Sequence, residues 1–81
     1  MNENFIPVVV VNNFSAEPEV ILCESQDQAR IQIQELYLSR QKALPVLCEE
    51  RTWISDEVDY AVVSDGALET EIFMGKISKG A

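Results

Sequence analysis

The stretch Ser25–Ala43, SQDQARIQIQELYLSRQKA, decides how the rest of this chain is read. Ser25 followed by Gln28 is a capping box, in which each side chain satisfies a backbone donor at a helix start. Asp27 puts negative charge in the first turn, and Arg40 and Lys42 put positive charge in the last, all complementing the helix dipole. Leu44 precedes Pro45, whose ring disfavours helical geometry at the residue before it, so the helix stops there. At the helical period, Ala29, Ile33, Leu36, Tyr37, Ala43 and Leu44 share one face with Arg40, a stripe wide enough to pack on a core. Ile31 and Leu38 lie seven residues apart on the opposite side.

Outward from the helix, the flanking segments read as strands. Phe5–Asn12 holds four consecutive valines, a β-branched run too short for a helix and typical of a strand buried on both faces. Pro7 lacks a backbone donor and belongs at a sheet edge or at the strand start. Residues Asn12–Pro18 are turn chemistry, and Glu19–Glu24 is a second strand, so an antiparallel hairpin leads straight into the helix. After Pro45, Val46–Cys48 is long enough for a short strand only, and Glu49–Glu57 reads as a polar loop carrying Trp53 and Ile54. Val58–Ser64 is a strand with Val58, Tyr60 and Val62 on one face and Ala61 and Val63 on the other. Asp65-Gly66 is a turn signal. In Glu69–Ile77, the last strand, Ile72 and Met74 alternate with Glu71, Phe73 and Gly75. A two-residue Asp-Gly loop would set Tyr60 opposite Glu71, and a six-residue loop would set it opposite Phe73. Residues 1–4 and 78–81 read as frayed ends of one compact domain spanning 1–81.

The order is therefore β-β-α-(β)-β-β: one helix packed on a mostly antiparallel sheet of four to five strands, a two-layer α+β sandwich. A ubiquitin-like β-grasp has a compatible order and length.

Composition narrows the function classes. The chain has 81 residues, 47% of them hydrophobic, and a net charge of −8, which fits one small folded domain near the lower size limit for a self-sufficient core. Apolar runs such as Val8–Val11 are far short of the roughly 20 residues of a membrane span. Met1–Asn4 has no basic start and no long apolar segment follows, so a cytoplasmic location is expected. The charge is uneven: residues 49–71 hold eight acids against the single base Arg51, a net of −7. Such a surface excludes direct nucleic-acid binding, which needs clustered Lys and Arg, but it steers a basic partner.

Catalytic and metal chemistry finds little footing. Histidine is absent, which removes the commonest general base and metal ligand together. Cys23 and Cys48 sit in apolar contexts and read as buried thiols, with a disulfide between them left open. Asp56-Glu57-Val58-Asp59 lacks calcium-loop spacing, and three glycines build no phosphate loop, so neither a metal nor a cofactor is expected. Trp53 reads first as a cap on the core and second, beside Arg51, as a contact residue of the type favoured at binding hot spots.

The apolar surplus points further. Val8 and Val10 oppose Val9 and Val11 across the first strand, and Val20 and Leu22 oppose Ile21 and Cys23 across the second. One helix covers one face, so the other face needs either the 49–57 loop or a second chain. The expected function is a non-catalytic protein-interaction module, an inhibitor, adaptor or antitoxin-like subunit, similar in size and charge to small acidic inhibitors carried by phages and mobile elements. Its expected contact residues are Ile31, Leu38, Arg51, Trp53, Asp56, Glu57, Asp59, Glu69 and Glu71, set against a basic partner surface, with homodimerisation covering the surplus. The alternative is a ubiquitin-like carrier or a small enzyme subunit completed across a dimer. The ending Gly80-Ala81 departs from the Gly-Gly terminus such a carrier uses.

Overall fold

The computed structural model describes residues 5–13 and 17–78, and the readings at 1–4, 14–16 and 79–81 lie outside them. Its elements are β1 (Phe5–Asn12), β2 (Glu19–Leu22), α1 (Gln26–Ala43), a 3-10 turn (Glu49–Arg51), β3 (Trp53–Ile54), β4 (Tyr60–Ser64) and β5 (Glu69–Ser78). The strands form one five-stranded sheet in the order β2-β1-β5-β4-β3, every pairing antiparallel, with α1 laid across one face. This is the two-layer α+β architecture. The first and last strands lie side by side and antiparallel, whereas a ubiquitin-like β-grasp sets that pair parallel, so the shared element order does not extend to topology.

The valine run makes β1 an inner strand, paired with β2 on one side and β5 on the other. Pro7 is the third residue of this inner strand, not at an edge or at its start, but it stands one step before the β2 ladder begins at Val8 and Leu22, so its missing donor leaves no gap in that ladder. Its carbonyl still accepts from the Cys23 backbone N–H at 2.9 Å. Ser25 caps α1, its hydroxyl accepting from the Gln28 backbone N–H at 3.1 Å. The return bond of the capping box lands one residue earlier than the motif implies: Gln28 Oε1 accepts from the backbone of Glu24 at 2.6 Å. Leu44 is extended ahead of Pro45, as the stop signal requires.

Between helix and sheet, Ala29 and Ile33 meet Val9, Val11, Cys23, Ala61 and Ile72, all buried, with Ile21, Leu36, Tyr37, Ile54, Val58 and Met74 packed around them. Alternation along each strand puts Val8, Val10, Val20, Leu22, Tyr60, Val62, Phe73 and Gly75 on the other face. Ala43 is exposed rather than part of the core stripe. There the last turn of α1 stands off the sheet, leaving a cavity of about 230 Å³ lined by Arg40, Ala43, Leu44, Val63, Leu68 and Thr70 among others.

Four readings of the segment after the helix are corrected. Val46–Cys48 forms no strand; Cys48 instead donates its backbone N–H to the Ser64 carbonyl at 2.8 Å, and the ladder strand is Trp53–Ile54, inside the segment read as a loop. Val58 stands before β4 with φ of 57°, a left-handed turn that a β-branched residue adopts at a cost, and this inversion carries its side chain to the core side, away from Tyr60 and Val62. The last hairpin pairs Tyr60 with Phe73 through a four-residue loop, 65–68, where a six-residue loop was expected with that register. That loop is held by the Asp65 carboxylate, which accepts from the backbone N–H groups of Leu68 and Ala67 at 2.7 and 2.9 Å, bonds that also keep the carboxyl below its usual pKa. Gly66 supplies the positive φ of 95° next to it. Finally, Ser78 is not frayed but pairs with Phe5 at the end of the β1–β5 ladder.

Candidate functional site

On the face of the sheet away from α1, three rings from three strands stack. Trp53 of β3 and Tyr60 of β4 have centroids 5.4 Å apart at 25°, and Tyr60 and Phe73 of β5 are 6.0 Å apart at 23°. The pairing Trp53–Val62 and Tyr60–Phe73 generates this row, because antiparallel neighbours on one face bring their side chains within ring-contact distance. Val8 and Val62 are sealed among their neighbours, and Gly75 gives Val8 and Val10 room to lean across β5. The rim stays open: Leu22 is 65% exposed, Val20 48%, Trp53 47% and Ile77 40%.

Charge is sparse on this face and already engaged. Arg51 Nη1 lies 3.2 Å from Glu69 Oε2, and the Tyr60 hydroxyl donates to Glu71 Oε2. That donated bond, then burial, then the negative charge of Glu71 and Glu69 push the Tyr60 hydroxyl up to about 12. The proton is held more tightly in the fold than in the unfolded chain, so the stabilisation is full below about pH 10 and is lost as pH rises through about 12. In a Tyr37→Phe background, ultraviolet titration should therefore show tyrosinate forming near pH 12, and Glu71→Ala should move it down toward 10. A midpoint unmoved by Glu71→Ala would refute the contact.

The structure divides the contact residues read from sequence into three groups. Arg51, Trp53, Glu69 and Glu71 come together on the open face. Asp56, Glu57 and Asp59 lie in the turn between β3 and β4, where Ser55 donates its hydroxyl to the Asp59 carboxylate at 2.8 Å and the Glu57 carbonyl accepts from Arg30 Nε at 3.2 Å. Ile31 and Leu38 are exposed on the outer side of α1, on the far side of the molecule from the aromatic row. Tyr60, Phe73, Val20, Leu22 and Ile77 are additional members of the open face. Strand alternation already carried that signal, in the surplus of apolar residues opposite the helix side.

Both cysteines are free thiols. Cys23 follows β2 at one edge of the sheet and Cys48 is bonded to β4 toward the other, with β1 and β5 between them. Burial raises the pKa of the Cys23 thiol. Among the described residues, no three Cys, Asp or Glu side chains converge as a metal-holding group, and no helix is long and apolar enough to cross a membrane. Set against known protein families, curated proteins and solved structures, the chain matches none of them.

Proposed function

We propose that this chain is a small, non-catalytic, cytoplasmic protein-interaction module, self-associated as a homodimer, whose acidic β3 side meets a basic surface on a partner protein. The observation that carries the reading is the setting of β3. This two-residue edge strand is flanked by Glu49 and Glu50 on one side and Asp56 and Glu57 on the other, all four exposed, with Trp53 half-exposed between them. Clustered carboxylates at a low-dielectric edge focus negative potential and raise the encounter rate with a basic partner. An inhibitor, adaptor or antitoxin-like subunit works in this way, including against a surface that otherwise binds nucleic acid.

The four other acids of residues 49–71 have partners within the chain: Asp59 with Ser55, Asp65 with the backbone of Ala67 and Leu68, Glu69 with Arg51 and Glu71 with Tyr60. Neutralising them would disturb the fold, so the test uses Glu49→Gln, Glu50→Gln, Asp56→Asn and Glu57→Gln together. Against a partner recovered by pull-down from the native host, surface plasmon resonance should show association slowed by about tenfold at low salt. The gap between variant and parent should close as the Debye length falls below about 10 Å. Association equally fast in parent and variant at every salt concentration would sink the steering reading.

A further inference from the structure

We infer that two copies of this chain pair through the open faces of their sheets, related by a two-fold axis parallel to the strands. In that arrangement the Trp53–Tyr60–Phe73 half of each face covers the Val20–Leu22 half of the other. The inference rests on the homodimer part of the proposed function and adds the face and its geometry.

The face is apolar on a scale that single exposed residues are not. Val20, Leu22, Trp53 and Ile77 are each at least 40% exposed on it, with Val10, Tyr60 and Phe73 partly exposed between them. Five strands at about 4.8 Å spacing, averaging about six residues, give a footprint of roughly 450 Å² in projection. Side-chain relief brings the accessible area toward the roughly 600–1000 Å² that each partner contributes to a standard interface.

Charge selects a second copy as the occupant. The chain carries a net −8, yet the strand residues of this face include only two charged ones, Glu69 and Glu71. Glu69 is paired with Arg51, and Glu71 accepts the Tyr60 hydroxyl. An equally acidic chain can therefore lie on this face with little repulsion, while a basic protein is drawn to the β3 edge instead.

Charge also selects the axis. A two-fold relating two faces must lie in the plane between them. Set perpendicular to the strands, it would lay the acidic β3 edge of one copy on that of the other. Set parallel to them, it brings β3 of each copy over β2 of its partner, and the two acidic edges end up roughly 20 Å apart, about two Debye lengths at 0.1 M salt. Aligned sheets then pack at about 10 Å, the spacing of a β-sandwich core.

Sedimentation equilibrium on the purified chain tests this without any partner. The mass should be twice the 9.1 kDa of one chain. Leu22→Glu and Trp53→Glu should each halve it, with the far-ultraviolet circular dichroism of the parent retained, while Leu38→Glu on the outer side of α1 should leave the dimer intact. Mixing Val20→Lys with Trp53→Glu should restore a dimer, because the parallel axis lays β2 over β3 and the register sets Val20, level with Phe73, only two residues (~7 Å) along the strand from Trp53, level with Glu71. A monomer at high micromolar concentration would overturn the dimer itself. A dimer indifferent to Leu22→Glu and Trp53→Glu but broken by Leu38→Glu would overturn this face, and a mixture that stays monomeric would overturn the axis. Partner binding through the β3 edge is read separately by plasmon resonance, so either result can fail without the other.

Discussion

Ile33→Ala should destabilise the fold by about 2–5 kcal/mol, measured as a shift of the urea unfolding midpoint followed through Trp53 fluorescence. Ile33 is fully buried where α1 crosses the sheet, in one cluster with Val9, Ala61 and Ile72 from three different strands. Truncation removes its burial and leaves a cavity that strands held by ladder hydrogen bonds collapse into only partly. In a domain of this size the loss is a large share of the total stability. Ile31, two residues earlier and 57% exposed, is the matched control, and Ile31→Ala should change stability by less than about 0.5 kcal/mol. Equal costs at the two positions would mean that α1 does not present the face described.

Ser55→Ala should cost about 1–3 kcal/mol, a large effect for the loss of one hydroxyl. That hydroxyl donates to Asp59 Oδ1 at 2.8 Å and accepts from the backbone N–H groups of Asp59 and Tyr60 at 3.0 and 3.1 Å. The three bonds close the turn in which Val58 is held at positive φ, and they fix where β4 begins. Removing them leaves part-buried groups without partners and releases the strain at Val58 into a looser turn. Because Tyr60 is the middle ring of the aromatic row, the fluorescence of Trp53 should change in the folded state as well as at the unfolding midpoint. Ser55→Thr keeps the hydroxyl and should restore most of the stability. An alanine variant within about 0.3 kcal/mol of the parent would remove the turn from the account.

The residues nominated from sequence for binding show how far local reading reaches. Composition marked residues 49–71 as the acidic third, and strand alternation marked a second apolar face. Neither told which acids are free. Asp59, Glu69 and Glu71 are tied to Ser55, Arg51 and Tyr60, partners 4 to 18 residues away that only the fold brings close. Ile31 and Leu38, exposed on the outer side of α1, are set apart from Trp53, Glu69 and Glu71 on the open sheet face, while Glu57 lies against α1 through Arg30.

Taken alone, the sequence determined the features set by neighbours within a few positions. The bounds of α1 follow from Ser25, Gln28 and Pro45, and its buried side follows from the period of Ala29 and Ile33. Strand identity in β1, β2, β4 and β5 follows from β-branched runs and alternation, and the surplus apolar face follows from the same alternation. Only the tertiary structure decided β3, the inversion at Val58, the Tyr60–Phe73 register and the row of three rings. Each of these depends on a pairing or packing contact that the segment's own residue preferences do not specify. Trp53–Ile54 is a strand because β4 offers it a ladder, and Val58 tolerates positive φ because Ser55 and the core hold it on both sides. A short segment with weak local preference takes the conformation that its distant partner can bond and bury.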